Sequence, residues 1–199
     1  MNPLIDKEVQ ERFIVNDISK QIRDDQYDIL QMLVQDSIHP NMQAVEIGSW
    51  TGLSAVLIGQ IVQRMRGQLH SFDWYKGSND GAFHLKETAK LLDVPQVFRN
   101  NIEFFGLSDT VFLTTISSEE ASNLFSMNSL DFIFIDGDHT YQGVKRDIEI
   151  WYPKLKPGKI ICGHDYRDNK SEVWKAVDES FPRVLFFRDI WWYKKTENM

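Results

Sequence analysis

The sequence predicts an α/β fold: a mostly parallel sheet with helices on both faces. Three observations predict it. Short apolar, β-branched runs alternate with longer segments of helical spacing, the pattern of successive βαβ units. One run, Phe132-Ile133-Phe134-Ile135, is apolar on both faces, as burial between two helix layers demands, and so belongs near the centre of the sheet. No internal repeat or Pro/Gly/Ser-rich linker divides the 199 residues, a length that suits one core.

Residues 7–36 read as helical, because Ile14, Ile18, Ile22, Leu30, Leu33 and Val34 recur at spacings of three and four. They are expected to form an N-terminal arm or lid over residues 1–42, ahead of a ligand-binding domain at 43–199. The first strand is expected at 44–47 and a helix from Leu53 to about Arg66, stopped by Gly67. A second strand at 69–73 precedes a polar loop with Gly77, Ser78, Asn79 and Asp80, then a helix over 82–93. Pro95 breaks that helix, and another runs to about Phe105. The third strand is expected at 111–114. Ser117-Ser118-Glu119-Glu120 reads as a cap for a helix ending near Phe125.

After the fourth strand, a helix spans 140–151, and the turn Lys156-Pro157-Gly158 leads into a fifth strand at 159–163. Residues 170–181 read as helical. Two aromatic-rich runs, 184–187 and 190–193, are separated only by Arg188-Asp189, which predicts an antiparallel hairpin and brings the strands to seven. The aromatic stripe Phe186, Phe187, Trp191, Trp192 and Tyr193 reads as core and edge-strand packing.

Charge narrows the partners. With 22 Lys+Arg against 29 Asp+Glu, the formal charge of −7 repels phosphate backbones, and no basic run offsets it, so nucleic acid is not an expected partner. No apolar run approaches the roughly 18 residues of a membrane span, and the N-terminus lacks the features of a signal peptide, so no membrane partner and a cytoplasmic location are expected. The single cysteine, Cys162, lies in the apolar run Ile160-Ile161-Cys162 and reads as a small buried hydrophobe.

Ligands of a doubly wound sheet bind beyond the carboxyl ends of its strands. The first strand ends in Glu46-Ile47-Gly48-Ser49-Trp50-Thr51-Gly52, a turn feeding a helix N-terminus. Gly48 can take a positive φ there, Gly52 permits close packing, and the helix amides can receive polar ligand groups. Trp50 and Leu53 depart from the dinucleotide fingerprint, and the indole leaves little room for a pyrophosphate. Asp73 ends the second strand about twenty residues on, the spacing at which a carboxylate reaches a ribose diol, with Trp74 and Tyr75 beside it.

Two further clusters end the fourth and fifth strands: Asp136-Gly137-Asp138-His139 and Gly163-His164-Asp165-Tyr166. If those strands are neighbours, their carboxylates crowd together, which a divalent cation would relieve. Asp136, His164 and Asp165 are the expected metal ligands; the oxygen-rich set favours Mg²⁺ or Mn²⁺, whereas the imidazole would pull toward Mn²⁺, Fe²⁺ or Zn²⁺. The plainer alternative has Asp138 capping the next helix and both imidazoles bonding backbone.

The segment from Val45 to Gly52 resembles motif I of class I S-adenosylmethionine-dependent methyltransferases. The stretch from Asp131 through Ile135-Asp136-Gly137-Asp138-His139-Thr140-Tyr141, Asp147, Leu155-Lys156-Pro157-Gly158 and Gly163-His164-Asp165-Tyr166 is similar to a small bacterial group that includes sugar O-methyltransferases of macrolide biosynthesis. The resemblance covers roughly residues 40 to 195. It implies a Rossmann-like seven-stranded sheet in the order 3-2-1-4-5-7-6 with strand 7 antiparallel. It also implies S-adenosylmethionine, with Glu46, Gly48, Ser49 and Gly52 around the methionine part, Asp73 on the ribose, and Trp74 and Ser117 near adenine. Asp136 and the pair at 164 and 165 would match metal ligands, and His139 or Asp138 the general base. Three positions depart from the group: Ile116 stands where an Asp often precedes Ser117, Lys159 replaces the second Gly of a Pro-Gly-Gly turn, and His164 replaces an acid.

The expected activity is O-methylation of a small molecule such as a sugar or polyol, by a chain that is an expected homodimer. Two alternatives stay open at this stage. A non-catalytic nucleotide-binding module would use the Gly turn and Asp73 alone, and a facial iron site of His139, His164 and Asp136 would make an oxygenase.

Overall fold

The structure, a computed structural model, describes residues 24–76, 93–167 and 171–196. The expected helix at 82–93 and the first part of the arm lie outside the described residues. The chain runs α1 (Asp24–Gln35), β1 (Gln43–Ile47), α2 (Leu53–Arg64), β2 (Gln68–Phe72), α3 (Val94–Phe104), β3 (Val111–Thr114) and α4 (Ser118–Ser122). It continues with β4 (Leu130–Ile135), α5 (Tyr141–Trp151), a 3₁₀ turn (Tyr152–Lys154), β5 (Leu155–Gly163), α6 (Val173–Ser180), β6 (Leu185–Phe187) and β7 (Ile190–Lys194). The sheet order is 3-2-1-4-5-7-6, as the resemblance implied. Strands β1 to β5 pair in parallel, and β7 is antiparallel to both its neighbours.

The alternation of a strand sorts its side chains between two cores. On one face Ala44, Leu69, Phe132, Phe134, Ile160 and Cys162 pack with α1, α2 and α3. On the other, Val45, Ile47, Ile133, Ile135 and Ile161 pack with α5 and α6. All six residues of β4 are buried, so the strand apolar on both faces lies between β1 and β5. Leu30, Leu33 and Val34 of α1 enter the first core directly, beside α2. No helix among the described residues is long and apolar enough to cross a membrane.

Two element ends differ from expectation. β5 begins at Leu155 rather than Lys159, because Leu155 pairs with Leu130 and a register shift before Phe132 accommodates Pro157, which has no N–H to give. α4 stops at Ser122, short of Phe125, where Ser122 Oγ and Asn123 Nδ2 both turn back onto the Glu119 carbonyl and compete with helix bonding. In the hairpin, Phe187 pairs directly with Ile190, and Arg188 takes a φ of +56° to make the tight turn. Trp191 is fully buried, whereas Phe186 and Phe187 are exposed at the edge.

Candidate active site

The carboxyl ends of β1, β2, β4 and β5 lie along one rim of the sheet, as the parallel registers require. At the end of β1, Gly48 adopts φ +83° and Gly52 φ +92°. A Cβ on Gly48 would fall 2.0 Å from the Asp136 carbonyl oxygen, so the turn lies against the loop after β4 and tolerates no side chain there. The Asp136 N–H donates to the Ile47 carbonyl at 2.8 Å, which fixes the two loops to one another. Gly52 brings the next helix against the Phe98 ring, 2.9 Å from where its Cβ would stand.

Asp73 organises this turn. Its Oδ2 accepts from the Ser49 and Trp50 amides at 3.1 and 3.0 Å, and its Oδ1 accepts from the Tyr75 amide at 2.8 Å. The Tyr75 hydroxyl donates to the Trp50 carbonyl at 2.9 Å, closing a ring in which Trp50 and Tyr75 both hold positive φ, +42° and +53°. Burial raises the Asp73 pKa against these three amide bonds. Glu46, fully buried, accepts from Ser71 Oγ at 2.7 Å, and burial pushes its pKa up to about 7. Among the described residues, two buried atoms of this region, Glu46 Oε1 and Trp50 Nε1, lack a hydrogen bond of good geometry, although the Ser54 side chain also favours the charged form of Glu46. Polar atoms left this way in a folded core are costly, and a bound polar ligand would satisfy them.

Trp74 is 45% exposed beside this turn, with Lys76 over its ring. Ser117 is an N-cap in a capping box, its Oγ accepting from the Glu120 amide and its own amide donating to the Glu120 carboxylate. Ser118 Oγ, the next residue, donates to Asp147 Oδ1 at 2.7 Å and accepts from Trp151 Nε1 at 2.9 Å. Asp147 is buried, which pushes its pKa up to about 6, and it lies beside Gly137 in the loop after β4.

The second cluster forms where β4 and β5 end side by side, Ile135 pairing with Gly163. His139 Nε2 lies 3.3 Å from Asp136 Oδ1 and 3.2 Å from Asp165 Oδ2. Asp136, His139 and Asp165 each turn one ligand atom to within 4.8 Å of the others, a spacing that suits one cation. His164, an expected ligand, is not in this trio but approaches the same two carboxylates. Its Nδ1 is 3.3 Å from Asp165 Oδ1 and 3.9 Å from Asp136, and its Nε2 faces Gln26 Oε1 at 3.3 Å. Burial works against the His164 imidazolium, yet the Asp165, Asp136 and Asp189 carboxylates outweigh it and raise its pKa. Asp165 itself takes a φ of +56°, uncommon for a residue with a Cβ. Asp138 uses one oxygen locally, accepting from the Thr140 amide at 3.0 Å as α5 begins.

Reading the sequence missed Gln26, Tyr75's clamp on Trp50, and Ser71. The polar residue on an N-terminal helix carries no local signal, and Ser71 shows itself only as a hydroxyl on the strand beside Glu46.

Residues 45–166, more than half of the chain, match a family described as the methyltransferase domain. The chain belongs to this family. The strand order 3-2-1-4-5-7-6 is the one that the resemblance to class I S-adenosylmethionine-dependent methyltransferases implied. The uncharacterized protein y4gI of Sinorhizobium fredii is 27% identical over 135 residues, which are 66% of this chain and 14% of that protein. This chain therefore spans a small part of that relative. Among solved structures, the cofactor-bound Rv0187 of MTB has a TM-score of 0.70 at 13% identity, over 100% of this chain and 92% of that one. The O-methyltransferase of Bacillus cereus in complex with SAH has a TM-score of 0.65 at 20% identity, over 98% and 92%. At these identities the likeness is one of fold.

Proposed function

We propose that this methyltransferase moves the methyl group of S-adenosylmethionine onto a hydroxyl of a small molecule, a sugar or another polyol, beside a divalent cation held by Asp136, His139 and Asp165. One contact carries this reading: the Gly48 turn and the Asp136 loop touch, so a donor seated on the first and an acceptor at the second share a wall. The B. cereus neighbour, described as an O-methyltransferase in complex with SAH, supports the same reading.

Glu46, Gly48, Ser49 and Gly52 are assigned to the methionine part, with Glu46 Oε1 and Trp50 Nε1 as its unpaired acceptor and donor. Asp73 holds the turn with three of the roughly four lone-pair sites of a carboxylate, which leaves one for a ribose hydroxyl. Trp74 and Ser117 flank adenine.

When bound, S-adenosylmethionine supplies an electrophilic methyl with its leaving group built in, and a divalent cation supplies a Lewis acid that acidifies a nearby hydroxyl. The protein's part is alignment: the loops after β4 and β1 fix acceptor against donor for in-line displacement. Two carboxylates and one imidazole converge on the candidate cation site, and this mixed oxygen and nitrogen donor set suits Mn²⁺ better than Mg²⁺. If His139 Nε2 held a cation, the second oxygen of Asp138 would be the group to take the hydroxyl proton; otherwise His139 would take it.

Calorimetric titration with S-adenosylhomocysteine, with and without Mn²⁺, tests the reading, followed by transfer of labelled methyl to a panel of polyols. The expected result is micromolar S-adenosylhomocysteine binding and Mn²⁺ binding that His139→Ala weakens. No S-adenosylhomocysteine binding would sink the reading.

A further inference from the structure

Gln26 lies on α1, far from the other candidate site residues in sequence, yet its side chain is fully buried and ends between His164 and Asp189. Its Oε1 is 3.3 Å from His164 Nε2, across 138 residues, and its Nε2 donates to Asp189 Oδ2 at 3.2 Å. We propose that Gln26 is a positioning residue for the β5 side of the reaction centre, so that α1 is a working part of the site. This rests on the reading of Asp136, His139 and Asp165 as the cation site.

A primary amide has one donating and one accepting end. The Asp189 carboxylate accepts, so the amide nitrogen of Gln26 faces it and the oxygen is left toward His164. That oxygen requires a hydrogen on His164 Nε2, which orients the ring with Nδ1 toward Asp165 Oδ1. Asp165 Oδ1 is then held from behind while Oδ2 faces His139. The Tyr166 amide donates to the Asp189 carbonyl at 3.0 Å, so backbone and side chain of Asp189 both fix the segment carrying Asp165. Asp165 sits at a positive φ, and a chain of side-chain bonds reaching α1 helps to keep it there. His164 is thereby committed at both nitrogens, to Gln26 and to Asp165, which leaves His139 as the imidazole facing the cation. Outer partners of this kind govern the orientation of ligating groups and so their affinity.

The test uses the whole chain with nitrogen-labelled histidine. In the parent protein, a ring N–H resonance of His164 should exchange slowly with solvent, and Mn²⁺ binding is followed by electron paramagnetic resonance. Gln26→Leu, close in volume, should abolish that slow exchange and weaken Mn²⁺ binding about tenfold. In the double variant Gln26→Glu with Asp189→Asn, amide and carboxylate change places while an acceptor oxygen still faces His164, so both properties should return. If Gln26→Leu does not fold, Asp189→Asn alone frees the amide to turn and should weaken the His164 signal.

Slow exchange and Mn²⁺ affinity both unchanged in Gln26→Leu, whatever happens to the melting temperature, would make Gln26 a packing residue and overturn the proposal. So would failure of the double variant to restore the His164 signal. If the parent protein binds no Mn²⁺, the cation reading fails, and the His164 signal decides the positioning role by itself.

Discussion

The Asp136 carbonyl oxygen occupies the space in which Gly48 would carry a side chain, 2.0 Å from the position of its Cβ. Two loops from adjacent strands are thus in backbone contact, and the residue between them must be glycine on two grounds, space and a φ of +83°. Gly48→Ala is expected to cost at least about 2 kcal/mol, from the left-handed backbone and the overlap together. It should also weaken S-adenosylhomocysteine binding more than tenfold, read by thermal melting and calorimetry. Alanine tolerated at wild-type affinity would show that the loops separate freely.

Asp73 satisfies three backbone amides, those of Ser49, Trp50 and Tyr75. Asp73→Ala leaves them without this partner and is expected to destabilise by roughly 2–3 kcal/mol. Asp73→Asn, which keeps one carbonyl oxygen, should fall between the two. If Asp73 served ribose alone, both variants would lose S-adenosylhomocysteine affinity with their denaturation midpoints unmoved.

The pH dependence of stability follows from Glu46. Its folded pKa of about 7 lies above its ordinary 4.5, so the folded state retains a proton that the unfolded chain has lost across that window. Its contribution is fully present below pH 4.5 and is lost as pH rises toward and through 7, a change of about 3 kcal/mol at most. Urea denaturation of the cofactor-free protein at pH 5 and pH 8 should show Glu46→Gln gaining on the parent at the higher pH. A constant difference between the two proteins would refute a Glu46 pKa raised by burial.

Gly163 lies between β4 and the hairpin. A Cβ there would fall 2.4 Å from the Ile135 carbonyl oxygen and 2.7 Å from Trp191 Nε1. Gly163→Ala should therefore push apart strands carrying Asp136 and Asp165, costing roughly 2–4 kcal/mol. Chemical denaturation measures the cost, and Mn²⁺ titration should show weaker binding in the same variant. Unchanged values in both would mean that the indole moves aside without penalty.

Much of the fold was legible because its signals are local. Ile133 and Ile135 alternate with Phe132 and Phe134, and that period places β4 between two cores in any context. Gly48, Asp73, Asp136 and Asp165 could each be assigned to a strand end, and parallel strands carry such ends to one rim. The cap at Ser117 was legible as well, since its partner Glu120 is three residues away.

What sequence alone determined is therefore the order of elements, the glycine turn and the rim on which the acidic groups gather. Only the tertiary structure decided that one nitrogen of His139 lies within 3.3 Å of both Asp136 and Asp165, that three amides already occupy Asp73, and that Gln26 reaches His164. The physical reason is range: periodicity and turn chemistry act between near neighbours, whereas a side chain's partner depends on how distant segments pack.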